Sequence, residues 1–183
     1  MIRSFSKAPD TSGKVGALIM FFFALIAASK WLAAFNLFFL LLVLRDMLAV
    51  WLLLTRKNSV SDSQNSLMYL SYFSSAMPFI YLNESVSSNN VSTTINILTT
   101  LGFCLSTLAL IDLGKSFGVS PAKRHVVNTG VYKFFNHPMY LGYAIAEAGF
   151  IFVNRSNFFI YLISLGLYIV RARAENKVLS STN

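Results

Sequence analysis

The chain reads as an all-α protein, a polytopic transmembrane helical bundle of about five to six membrane helices. Composition and the placement of charge carry that reading. Of 183 residues, 55% are hydrophobic and only 12% are charged, against roughly 25% charged in an ordinary soluble domain. The apolar residues come in long blocks with the basic residues gathered at their ends. A net charge of +8 raises nucleic acid as a partner, but that surface needs its Lys and Arg clustered on one soluble face. The distribution points to membrane topology, with no nucleic-acid partner.

A helix crossing the hydrocarbon core takes about 20 apolar residues. The first block, Val15 to Ala28, follows Arg3, Lys7 and Lys14 and superficially resembles a signal sequence. Ala27-Ala28-Ser29 runs straight into Lys30-Trp31 and more apolar residues, so a retained span is expected. Leu32 to Leu54 is long and holds Arg45 and Asp46; Leu67 to Leu82 is short. Val91 to Leu113 contains the single cysteine, Cys104, expected to be a buried, inert thiol. Pro138 to Val153 carries Glu147, and Phe158 to Val170 runs into Arg171-Ala172-Arg173-Ala174-Glu175. The shorter blocks leave tilted hairpins, and four or five full crossings, open as well. No repeat or linker divides the chain, so one domain is expected over 1–183.

Basic residues sharpen the topology, because cytoplasmic loops carry the excess of Lys and Arg. With six crossings and a cytoplasmic N-terminus, only Lys30 and Arg155 of the 15 Lys and Arg fall outside, and Arg45 lies within a span. Both termini are then cytoplasmic, in a bacterial inner membrane or an endomembrane. Arg45, Asp46 and Glu147 are costly at membrane depth unless paired or facing water, which makes them functional candidates. Arg45 and Asp46, about 100° apart on a helix, are expected to pair with other helices or to snorkel. Glu147, four after Tyr143 and seven after Tyr140, is expected to share a face with both.

The stretch from Arg124 to Gly142 is the one dense in polar chemistry. Taken singly, its aromatic residues Tyr132, Phe134, Phe135 and Tyr140 read as an interfacial belt, and its basic residues as anchors. Taken in order, Thr129-Gly130-Val131-Tyr132 followed by His137-Pro138-Met139-Tyr140-Leu141-Gly142 resembles the signature of integral-membrane methyltransferases related to isoprenylcysteine carboxyl methyltransferase and phospholipid N-methyltransferase. The resemblance covers about 113–179. It implies methyl transfer from S-adenosylmethionine to a membrane-embedded, lipid-like acceptor, either an isoprenylcysteine carboxylate or a phospholipid amine. The partner is thus a lipid or a lipidated small molecule or peptide.

S-adenosylmethionine presents a carboxylate, an ammonium, a sulfonium, ribose hydroxyls and adenine, so its site needs donors, an acceptor, aromatic faces and close backbone approach. Arg124 and His137 are donors, Tyr132 and Tyr140 offer faces to the sulfonium, and Gly130 and Gly142 allow close approach. Pro138 suits the first turn of a helix, with His137 at its N-cap edge. Val126, Val127 and Met139 complete the segment that the resemblance assigns to the cofactor. At the end of the last helix it implies that Glu175 contacts the cofactor and Arg171 orients the substrate. Read without it, Arg171 and Glu175 are an ion pair four apart on one helix face. Arg171 and Glu147 are the expected catalytic residues, and no metal is expected. The chain departs from the family pattern with Asn136 for a common Arg, Arg124 for a common His and Asn176 for a second Glu. It also ends without a further Tyr- and Arg-containing stretch, so a more open site is expected. The alternative resting on these departures is a non-catalytic binding or interaction protein of the same family. A transporter, suggested by Arg45, Asp46 and Glu147, lacks the two-half repeat expected of that class.

Overall fold

The computed structural model describes residues 11–56, 65–82, 89–119 and 126–180, which are mostly helical, with no strand among them. The helices are α1 (Thr11–Ala34), α2 (Leu37–Thr55), α3 (Asn65–Ala76), α4 (Asn89–Leu113), α5 (Pro138–Ala148), α6 (Phe150–Val153) and α7 (Asn157–Ser180). Short 3₁₀ turns occupy Met77–Phe79, Gly114–Ser116 and Gly130–Lys133. α1, α2, α4 and α7 are long and apolar enough to cross a bilayer, and Pro138–Val153 is a shorter apolar helix. The short third and fifth blocks of the sequence are thus α3 with its 3₁₀ extension, and α5 with α6.

α1 and α2 form an antiparallel hairpin joined by Phe35 and Asn36. Phe35 takes a left-handed conformation (φ 48°), and the Asn36 side chain caps α2 by accepting from the Phe38 N–H at 2.8 Å. Small residues bring the pair together, with Ala17, Ala24, Ala27 and Ala49 all buried. Without a hydrophobic drive between helices in lipid, such close backbone approach is what holds them. The same device joins α4 and α5. A Cβ on Gly142 would lie 2.6 Å from the Gly102 carbonyl oxygen and 2.7 Å from the Ser106 nitrogen. Gly102 and Ser106 on α4 thereby face Gly142 and Ala146 on α5, a small residue every fourth position on each side. Gly142 therefore serves the α4–α5 contact.

The outer surface is apolar, with Leu18, Phe22, Leu44, Trp51, Leu101 and Ile163 all more than half exposed, as lipid-facing helices require. Cys104 is on this surface and not buried as the sequence suggested. Its block is apolar on every side, so hydrophobicity could not tell the lipid face from the packed one.

The two ends of the bundle are chemically distinct. At one, Arg56 donates to the Ser12 hydroxyl, joining the start of α1 to the end of α2, and the Arg171 guanidinium donates to the Val119 carbonyl. At the other, buried Asn157 donates to the carbonyls of Leu82 (3.0 Å) and Phe150 (2.8 Å) and accepts from the Leu82 N–H (2.9 Å). Those three bonds bind the segment after α3 to α6 and α7.

Candidate functional site

The signature loop is fastened to α4. Gly130 has φ +57°, and a Cβ there would overlap the Asp112 carboxylate; that carboxylate accepts from the Val131 N–H at 2.8 Å. Glycine is therefore required at 130 for both conformation and space. The chain then turns through Gly130–Lys133 and enters α5 with His137 as N-cap and Pro138 in the first turn.

His137 and Tyr140 meet the last turns of α7. The Tyr140 hydroxyl donates to Glu175 Oε1, His137 Nδ1 lies 3.5 Å from Glu175 Oε2, and His137 Nε2 lies 3.0 Å from Asn176 Oδ1. The His137 ring lies near-parallel to Tyr140, at 5.9 Å between centroids. Glu175, with Asn176 on the other ring nitrogen, holds the half-buried imidazole above its ordinary pKa, outweighing the opposing effect of burial. Tyr132 is partly buried beside this cluster, and its phenol is pushed up by burial and then by Glu175. Phe134 and Phe135 are exposed, as an interfacial belt needs, so the aromatic residues of this segment divide between anchoring and the site.

Arg171 and Glu175 do not meet as the ion pair their spacing allows; each has other partners, and they share Tyr140. The Arg171 guanidinium lies over the Tyr140 ring at 4.9 Å, donating to the Val119 carbonyl at 2.8 Å and the Ser74 hydroxyl at 3.3 Å. Tyr140, Tyr143 and Tyr168 pack together, with Tyr140 and Tyr168 stacked at 5.9 Å and 11°.

Behind these tyrosines a small cavity is lined by Arg45, Ser74, Tyr143, Glu147, Tyr168 and Arg171 among apolar side chains. Glu147 accepts from the hydroxyls of Tyr81 (2.9 Å) and Tyr168. Arg45 and Asp46, expected to pair with other helices or to snorkel, are both buried and lie 3.1 Å apart, because long side chains bridge the angle between adjacent helix positions; the pairing with another helix holds for Arg45. Arg45 also donates to the Tyr143 hydroxyl at 3.0 Å.

Of the residues expected at the site, His137, Tyr140, Arg171 and Glu175 come together, with Tyr132 and Gly130 beside them. Glu147 lines the cavity with Tyr143, on the face shared with Tyr140. Pro138 and Met139 are buried at the start of α5, and Val126 is exposed; Val127 lies between them in exposure. Arg124 lies outside the described residues. Sequence reasoning missed Asp112, Tyr81, Ser74, Tyr168 and the partnership of Asn176 with His137. Tyr168 carried a faint signal, three residues before Arg171 on the same helix; Tyr81 and Ser74 carried none.

No curated protein and no solved structure matches the chain. Residues 95–181 match the model of the Isoprenylcysteine carboxyl methyltransferase (ICMT) family. That stretch runs from α4 to the end of α7 and contains the loop, His137, Tyr140, Arg171 and Glu175, and the match supports an isoprenylcysteine carboxyl methyltransferase-like family for this part of the chain.

Proposed function

We propose that this protein transfers a methyl group from S-adenosylmethionine to a membrane-embedded, lipid-like acceptor. The observation that carries the reading is the cluster of His137, Tyr140 and Glu175 at one end of the bundle, joined to the cavity among the helices by Arg171, which lies over the Tyr140 ring and lines that cavity. It gives a polar, partly exposed site and, beyond Arg171, a buried and largely apolar one. The residue types fit the cofactor. Glu175 accepts hydrogen bonds and balances an ammonium, His137 donates to a carboxylate, and the tyrosine faces suit a sulfonium. Arg124 is a further proposed donor, and Val126, Val127, Gly130, Tyr132, Pro138 and Met139 complete the proposed cofactor segment, with Gly142 holding α5 against α4. The positive-inside pattern supports a cytoplasmic position for this end and both termini.

The cofactor supplies an activated methyl on a sulfonium. In-line transfer then needs mainly positioning and compensation of charge. Arg171, held by Ser74 and Val119, orients the acceptor head. Glu147 takes the proton released by an amine or thiol acceptor, with Tyr81 and Tyr168 fixing its carboxylate. The acceptor's tail remains in lipid while its head enters the cavity.

Calorimetric titration of the purified, detergent-solubilised protein with S-adenosylmethionine tests this. Saturable binding is expected, with loss in both Tyr140→Ala and Glu175→Ala. No binding by folded wild-type protein would point to the non-catalytic reading.

A further inference from the structure

The family match covers 95–181, yet the cavity that holds Arg171 receives a second guanidinium from outside that stretch. Arg45 sits at the middle of the 19-residue α2, too deep to reach an interface, with its side chain only 6% exposed. Its guanidinium lies over the Tyr143 ring at 4.7 Å and donates to the Tyr143 hydroxyl.

The hydrogen bonding of both arginines is incomplete. Asp46 Oδ1 is 3.1 Å from Arg45 Nη2 but accepts no hydrogen bond, and the Nε groups of Arg45 and Arg171 are buried without a partner. Asp46 thus balances the charge of Arg45 without using its full set of donors. The hydrogen-bond acceptors of Arg171 are the neutral Val119 carbonyl and Ser74 hydroxyl. Glu147, across the same cavity, is bound by tyrosine hydroxyls. Arg45 and Arg171 both line the cavity, and each keeps a buried N–H donor that neither Asp46 nor Glu147 satisfies, a cost that a carboxylate on the acceptor would relieve. The cavity is small, so only a compact head with its chain leaving between helices suits it.

Resting on the methyltransferase reading above, we infer that Arg45 is an acceptor-recognition residue that, with Arg171, holds the anionic head of the acceptor and selects carboxylate-headed amphiphiles over amine-headed ones. A carboxyl acceptor accords with the family matched over 95–181, a stretch that does not include α2. Transfer to a carboxylate balances without a base: an oxygen lone pair forms the O–CH₃ bond, the C–S bonding pair returns to sulfur, and no proton moves. The product is a neutral ester, which two guanidinium groups hold less well than the anion they bound. Product release is thereby favoured by the same pair that selected the substrate.

The test measures binding of S-farnesylcysteine and of its neutral carboxamide to the full chain in detergent, each without cofactor, with S-adenosylmethionine titrated separately. The wild type is expected to prefer the carboxylate by at least about tenfold. Arg45→Met with Asp46→Asn, which removes the charge pair together, is expected to bring the two affinities within about twofold and to leave cofactor affinity unchanged. Arg45→Lys keeps the charge but not the fork, and is expected to lose at least about threefold of the preference. It serves if the double variant does not fold. Absent or equal binding of the two probes by the wild type, or an unchanged preference in either folded variant, overturns the role of Arg45. Loss of cofactor binding by the wild type would instead overturn the methyltransferase reading, and is read out independently.

Discussion

The cluster at His137, Tyr140 and Glu175 and the cluster at Arg45, Asp46 and Glu147 are both built from charged side chains on apolar helices, but they solve different problems. The first lies at a helix end, with His137 and Glu175 side chains 21% and 26% exposed, so solvent shares the cost of its charges. The second is sealed, with Asp46 at 1% and Glu147 at 2%, and every charge must be met by another side chain. The first cluster can therefore exchange its partners for a ligand cheaply. In the second, orphaned groups persist only if something else compensates them, which is why Arg45 and Arg171 point to an anion.

The largest expected difference lies between Glu147→Ala and Glu175→Ala. Removing Glu147 strands the buried Tyr168 hydroxyl, at about 1–3 kcal/mol for a buried group left unpaired, leaves Tyr81 only its long bond to the Ser164 hydroxyl at 3.4 Å, and should lower the thermal midpoint in detergent by several degrees. Glu175→Ala should cost about 1 kcal/mol or less in stability while removing cofactor binding. Equal destabilisation by the two would erase the distinction between the clusters.

Next in size is Asp112→Ala, which frees the Val131 N–H and loosens the signature loop from α4. A charge-assisted bond of this kind contributes about 1.5–3 kcal/mol, and the loss should appear as weakened cofactor binding together with a lower thermal midpoint. An unchanged cofactor affinity would show that the loop needs no tether.

A smaller effect should follow pH. The folded pKa of His137 is raised above its ordinary value. Its protonated contacts therefore add stability that is complete below about pH 6.5, its unfolded value, and is lost as pH rises through the folded value. The stability difference between wild type and His137→Gln should accordingly shrink on going from acid to alkaline buffer. A constant difference across that range would remove the charged imidazole from the cluster. Smallest of all, Phe134→Ala should leave cofactor affinity untouched and stability within about 0.5 kcal/mol, since its ring is 80% exposed; a lost cofactor site in that variant would place Phe134 inside it.

How much of this was legible beforehand differs between the two regions. The end cluster was largely readable, because His137 and Tyr140 lie three residues apart and Arg171 and Glu175 four apart, spacings at which helical geometry places side chains on one face. The buried cluster was not. Glu147 stood out as a charge in an apolar block, but Tyr81 and Ser74 are ordinary residues of a short span, and only packing makes them its neighbours. Arg45 does reach another helix, at Tyr143, but its ion pair with the adjacent Asp46 was not expected, since the angle between two helix positions says nothing of side-chain length.

Local chemistry in the chain therefore determined the helices, their apolar length, the loop with its glycine and the residues at the ends of α5 and α7, because each depends on neighbours within a few positions. The tertiary structure alone decided which helices meet, that Cys104 faces outward, that Gly142 is spent on packing, and that arginines 126 residues apart in sequence share one cavity. Those outcomes follow from close backbone approach at Gly102 and Gly142 and from the demand of buried charges for partners. Both are contacts between distant segments, and no local pattern encodes them.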